Sequence, residues 1–241
     1  SLAGKLELKG VKYKTIDELN ASWGKDFASF EDLLEQRPEP QVIEGNMYDD
    51  YNAFSKVVLR TFNETILRIC HEEDPGRLVF SNRFMIHEVR GVFDNMDCYS
   101  GFDGMAINLY PSNDVWGLDL SESQYFELMH KLTGKPLMVC EWSVPARDSH
   151  LYDNWNREDW SFPQIMRNQQ QRARQAAEVT ATWYNMPFIV GAHWFSWADF
   201  DTRTRQANRG LYKADGEPWP EIQEALTEVN LRIMEEVANG K

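Results

Sequence analysis

An α/β fold with its strands in parallel is what the sequence predicts, on three observations. Helical stretches alternate with short apolar runs along most of the chain, the order of βα units. The clearest of those runs, "PLMVC", is continuously apolar, as a strand covered on both faces should be. The 241 residues, 42% hydrophobic and 13% aromatic, suffice for a core of ordinary size within one large α/β domain, so residues 1–241 are read as a single domain.

The first fifty residues are helical. "TIDELNASWG" opens with a capping box, Thr15 with Glu18 three residues on, and ends at Gly24. "SFEDLLEQ" forms a second short helix, stopped before Pro38 and Pro40. From about Met47 to His71, the residues Phe54, Val58, Phe62 and Ile66 recur every fourth position, one face of a long amphipathic helix. After the turn signal Asp74-Pro75-Gly76 comes the first strand, in "RLVFSNRF", and "MIHEVRGVF" returns to helical character. "GMAINLY" is the second strand.

"SESQYFELMHKLTG" carries its own capping box, Ser121 with Gln124, and a terminating Gly134. It leads straight into the third strand, "PLMVCE". An aromatic loop from Val144 to Pro163 precedes a Gln/Arg/Ala-rich helix that runs to about Asn185. "FIVGAHWFSW" is the fourth strand, and a helix from about Pro218 to Val237 closes the chain. Four strands, each followed by a helix after a loop, make four βα units, with no fixed-period repeat or low-complexity tract among them.

Charge and composition exclude several functions. A formal net charge of -13 with no Lys/Arg-rich block repels a polyanion over most of the surface, so no nucleic-acid partner is expected. Cys70, Cys98 and Cys140 contain no CxxC pair and suggest neither a disulfide framework nor a zinc site. No apolar run approaches the ~20 residues that cross a bilayer, so no membrane partner is expected either. "SLAGKLELKG" has no signal-peptide core, but the chain starts at Ser1, not Met, which is compatible with a removed targeting segment and a secreted or periplasmic address. No His/Asp/Glu cluster has metal-ligand spacing and no GxSxG, Walker or GxGxxG sequence is present, so no metal or cofactor is expected.

The chemistry gathers at strand ends. In "PLMVCEW" a lone acid, Glu141, closes a buried run. A carboxylate is costly to bury without partners, so it belongs where the strand emerges into a polar site. In α/β barrels that place is the carboxyl-terminal rim. The other strands agree: "LVF" passes into Ser81-Asn82-Arg83, "MAI" into Asn108-Leu109-Tyr110, and "FIVGA" into His193-Trp194-Phe195-Ser196-Trp197. Aromatic faces for a sugar ring's C–H surface, with forked donors and acceptors for hydroxyls, suit a carbohydrate. A carboxylate among them can attack an anomeric carbon or stabilise the oxocarbenium-like charge that forms there.

These motifs resemble a known family. "KPLMVCEWS" is similar to the seventh strand of the clan A glycoside hydrolases, retaining enzymes on a (β/α)8 barrel whose nucleophilic Glu ends that strand. "INLYP" is similar to their sixth strand, "GAHWFSWADFD" to an eighth strand with a substrate-facing Trp, and "DPGRLVFSNRF" to the fifth. "YKTIDELNASWGKDFASFEDLL" resembles a segment found after the fourth strand in the clan's agarases and β-galactosidases. The resemblance implies Glu141 as nucleophile, Tyr110 as a hydrogen-bond partner of its carboxylate, and Asn82, Arg83, Asn108, Tyr110, Trp142, Trp194 and Trp197 as substrate-binding candidates. The implied reaction is hydrolysis of β-galactosidic bonds, with agar-type galactan favoured.

The family's general acid/base is a Glu, usually after Asn, at the end of the fourth strand. The one such pair here, Asn63-Glu64, lies in the long amphipathic helix and is read as a solvated charge. A retaining mechanism needs two carboxyl groups ~5 Å apart. The chain is therefore expected to be the C-terminal half of a TIM barrel, strands five to eight, partnered by the complementary N-terminal fragment or by a second copy. Two alternatives stay open: a non-catalytic carbohydrate-binding protein that keeps the rim, and a self-associating half-barrel. His193 reads as packing, His71 and His87 as surface groups. Tyr152, Trp155 and Trp160 either wall the cleft or cover helices.

Overall fold

A computed structural model describes residues 12–36, 45–85, 93–111, 120–151, 165–203 and 206–240. "MIHEVRGVF", including His87, and the aromatic loop with Tyr152, Trp155 and Trp160 lie largely outside the described residues. The chain divides into two compact units, Ser1–Ile69 and Cys70–Lys241, where the sequence reads as one domain.

The first unit holds α1 (Ile16–Trp23), α2 (Phe30–Gln36) and most of α3 (Gly45–Glu73). Thr15 caps α1 by accepting from the Glu18 amide at 3.2 Å, and Gly24 ends it at φ 64°. The capping box closes one residue early: the Glu18 carboxylate accepts from the Lys14 amide, not from Thr15. α3 forms as its period predicts. Val58 and Phe62 of its apolar stripe are nevertheless 48% and 51% exposed, while Met47 and Asn63 are buried. The period makes the helix; it does not by itself supply a surface for the stripe.

Asp50 gathers this unit's polar contacts, accepting from Lys12, from Tyr13 Oη at 2.7 Å and from Trp23 Nε1 at 2.8 Å. Burial pushes its carboxyl up, but the hydrogen bonds from Lys12, Trp23 and Tyr13 outweigh burial and hold it below its ordinary value. A depressed carboxyl contributes stability that is present above the ordinary carboxylate value and lost as pH falls through the lower folded one. The Trp23 indole N–H resonance should therefore hold from neutral pH down through ~4 and move only below that. A transition centred at or above ~4 would contradict the assignment.

The second unit is a four-stranded parallel sheet in the order β1 (Phe84–Met85), β2 (Met105–Asn108), β3 (Leu137–Trp142), β4 (Ile189–Trp194). α4 (Glu122–Thr133) connects β2 to β3, and α5 (Gln169–Tyr184) connects β3 to β4. Parallel neighbours with helical crossovers are the βα units the sequence predicts. Ser121 and Gln124 close the expected capping box on α4, with Gly134 at φ 64° behind it. A short hairpin, β5 (Phe200–Asp201) with β6 (Gln206–Ala207), precedes the last helix, α6 (Pro220–Ala238).

The first predicted strand is mostly absent as a strand. "RLVFSNRF" follows β2 through a single bridge, Phe80 to Gly104, and becomes regular only at Phe84. Ser81 explains part of this: its hydroxyl accepts from the Ala106 amide at 3.0 Å, so a side chain takes the place of a ladder carbonyl. The core lies between sheet and helices, where Leu137, Val139, Met105, Ile107, Phe126 and Met129 are all 0% exposed.

Candidate active site

β3 presents an acid because of a shift in strand register. Along β2, Ile107 pairs with Val139 and the next residue, Asn108, pairs with Glu141. Along β4, Val139 pairs with Ala192 and Trp142 with Trp194. Both neighbours thus count one residue more on β3 between Val139 and Trp142, which is a β-bulge. Plain alternation would put Glu141 on the face of Leu137 and Val139, both 0% exposed. The extra residue gives that face to Trp142, 2% exposed, and turns Glu141 to the other side.

On that side three donors meet one carboxylate. Arg83 Nη1 reaches Glu141 Oε2 at 2.8 Å, Asn108 Nδ2 reaches the same oxygen at 3.1 Å, and Tyr110 Oη donates to Oε1. Glu141 keeps 15% of its side-chain surface exposed and Arg83 keeps 58%. Three of the roughly four acceptor positions of a carboxylate are thereby used, which fixes its plane and leaves a lone pair for an incoming atom. The donors come from the run before β1, the last residue of β2 and the segment just after it, so parallel strands of matched length bring them together.

Other candidates fall elsewhere. Asn82 is exposed beside Arg83. Trp197 is 71% exposed, its ring 4.7 Å from that of Tyr212 at an interplanar angle of 31°. Trp142 does not face a ligand: it packs edge-on against Trp183 and Trp194, with ring centroids 4.8 Å away in each case. Trp194 pairs with Trp142 in the ladder and shares its face, with its indole N–H on the Arg209 carbonyl at 2.8 Å and the Arg172 guanidinium 5.6 Å from its ring. Both tryptophans thus belong to the layer behind the sheet, because register rather than residue type decides which way they point. His193, expected as packing, is exposed, and so is His71.

A buried polar scaffold that sequence reading missed supports the rim. Arg172, 0% exposed, donates to the carbonyls of Val144 and Gly210, both at 2.7 Å, and to Gln169 Oε1 at 2.9 Å. Burial pushes its guanidinium down to about 10 while Asp199, Asp148 and Glu221 pull it up, so it is cationic at neutral pH. Asp199 accepts from the Gly210 amide at 2.6 Å, from Trp219 Nε1 at 2.8 Å and from Asn208 Nδ2 at 3.0 Å. Arg209, 4% exposed, lies with its guanidinium 4.6 Å from the Tyr110 ring centroid. Asp199 and Arg209 stand in "ADF" and "ANRG", outside any periodic run, and Arg172 stands in the first turn of α5, where a sequence reads it as surface charge. A cavity of about 400 Å³ lined by Arg147, Ile165, Met166, Arg167 and Gln171 shares no residue with the Glu141 cluster.

The family model described as Beta-galactosidase, of glycoside hydrolase family 42, matches residues 8–185, well over half of the chain. The chain belongs to this family. Among curated proteins it is similar to Beta-agarase B of Vibrio sp. (strain JT0107), 24% identical over 229 residues, which are 91% of this chain and 22% of that protein. A solved exo-beta-agarase matches 97% of the chain at 22% identity with a TM-score of 0.71, and a solved agarase matches 97% at 20% identity with a TM-score of 0.68. The chain spans 30% and 32% of those two structures. At such identities the likeness establishes the fold: this beta-galactosidase family member shares the α/β arrangement of glycoside hydrolase domains.

Proposed function

We propose that the chain supplies the nucleophile to a retaining glycoside hydrolase that cleaves β-galactosidic bonds, agar-type galactan being the favoured substrate. The observation that carries this reading is the Glu141 carboxylate, turned out by the β3 bulge and held by Arg83, Asn108 and Tyr110. One Glu141 oxygen attacks the anomeric carbon as the bond to the leaving oxygen breaks. A second carboxyl group protonates that oxygen and then activates water to release the sugar. Asn82, with its exposed amide, and Trp197, with its exposed ring face, are the proposed sugar contacts that Glu141 does not already engage. Galactan is favoured by the family match and by the agarases among the similar proteins.

The acid/base is proposed on the complementary half of a (β/α)8 barrel. Glu64, the acid of the one Asn-Glu pair, is exposed in mid-α3 and ends no strand. Support for a covering partner comes from the second unit itself. β1 and β4 are the outer strands of the sheet, and Val190, Leu231, Met234 and Val237 are each more than half exposed. Exposed apolar residues on β4 and α6, and outer strands whose far edges pair with no described strand, favour association.

The test is incubation of the protein with an activated 2-fluoro β-galactoside, followed by peptide mass mapping. A sugar covalently attached to Glu141 is expected. Turnover of an aryl β-galactoside with the sugar on another residue would overturn the assignment, and saturable oligosaccharide binding without labelling would favour a non-catalytic binder.

A further inference from the structure

We infer that Arg209 is a positioning residue for the nucleophilic step, acting on Glu141 through Tyr110; this rests on the proposed role of Glu141. At 4% exposure its guanidinium is too buried to meet a sugar. It is instead anchored within the scaffold. Nη1 donates to Ser143 Oγ at 3.2 Å, just past the end of β3, and the Arg209 carbonyl accepts from Trp194 Nε1 at 2.8 Å and from the Ser196 amide at 2.9 Å, at the end of β4. From that anchorage the cation lies 4.6 Å from the Tyr110 ring centroid, and the Tyr110 hydroxyl donates to Glu141 Oε1.

Two effects follow from elementary electrostatics. A cation over the face of a phenol is attracted to the ring and so fixes where the ring lies. It also draws electron density from the ring, which makes the hydroxyl a better donor to its acceptor. The acceptor here is the carboxylate that must be ionised and aimed when it attacks. Arg209 thus sets the donor strength and the placement of Tyr110, and Glu141 senses both without touching the cation.

The reading is tested on the attack step alone, in the whole protein that carries this chain. A 2-deoxy-2-fluoro-β-galactoside with a dinitrophenolate leaving group needs no proton donor. Glu141 bonds to the anomeric carbon, the carbon–oxygen bond breaks, and its electron pair leaves as dinitrophenolate, whose absorbance gives the labelling rate. Arg209→Gln should move the acid limb of the labelling-rate profile to higher pH, with labelling about tenfold slower on that limb. Arg209→Lys, which keeps the charge but not the planar fork, should recover all but about twofold to threefold. In a Tyr110→Phe background neither substitution should change the rate further.

An Arg209→Gln profile that overlays the parent's, or one whose deficit is undiminished in Tyr110→Phe, would overturn the inference. Melting curves accompany each variant. If Arg209→Gln does not fold, the Arg209→Lys deficit in the two backgrounds makes the same comparison, and an equal deficit in both overturns it. Failure of the premise reads differently, as a sugar mapped to a residue other than Glu141.

Discussion

Glu141→Gln is expected to lower kcat on an aryl β-galactoside by about four orders of magnitude or more, because the amide keeps the size of the side chain and removes the nucleophile. With its oxygen on the side of Arg83 and Asn108 the amide still accepts from both, and its NH2 meets Tyr110 Oη, which can turn to accept, so the fold should survive with little change in melting temperature. Glu141→Ala should be equally inactive, but added azide enters the vacated space and attacks the anomeric carbon from the same side. The product is then an α-galactosyl azide, opposite in configuration to the substrate. Product analysis by NMR distinguishes this from loss of folding, which azide cannot repair. Unchanged kcat in Glu141→Gln would remove the carboxylate from the mechanism.

The largest loss of stability is expected at Arg172. Arg172→Leu fills much of the same volume but leaves the carbonyls of Val144 and Gly210 buried without donors, along with Gln169 Oε1. Stranding hydrogen-bond partners of a buried charge costs about 3–5 kcal/mol, which should appear as a lower urea midpoint at unchanged m-value. The loss is expected to reach the rim. Val144 lies three residues beyond Glu141, and Gly210 adjoins Arg209, so residual activity in Arg172→Leu should fall more steeply with temperature than melting alone explains. A midpoint within ~1 kcal/mol of the parent would mean that water or neighbouring groups replace the guanidinium.

Much of this fold was legible because its signals are local. Ser121, Gln124 and Gly134 bound α4 by cap chemistry that needs no other part of the chain. The three donors that meet at Glu141 were legible for a related reason: each follows an apolar run, and parallel strands deliver their ends to one rim. "RLVFSNRF" was misread because strand character depends on a partner's ladder, and there the Ser81 hydroxyl supplies one of the contacts. The α3 stripe was read correctly as one face of a helix, but its period does not say how far that face is covered, since burial depends on what lies opposite. Trp142 and Trp194 were candidates for the sugar because the family resemblance implies it. Their direction depends on the residue count between paired strands, which only the neighbours reveal. Arg209 and Arg172 carried no signal at all: buried cations in loops and at helix starts look like surface charge in a sequence.

The bulge at the end of β3 also bears on which mutations the site can survive. Cys140 is half-buried and is not one of the three donors to the carboxylate, so substitution there by a residue of similar size should be tolerated. Its deletion should spare the orientation as well: with one residue fewer between Val139 and Trp142, the acid follows Val139 directly on the cleft side and the indole falls one step later on the helix side. Flattening the bulge while keeping all the residues is what would harm the site, since plain alternation through Cys140 drives the acid inward toward the helices and the indole outward into the cleft. The extra residue and the kink that absorbs it must be kept or lost together.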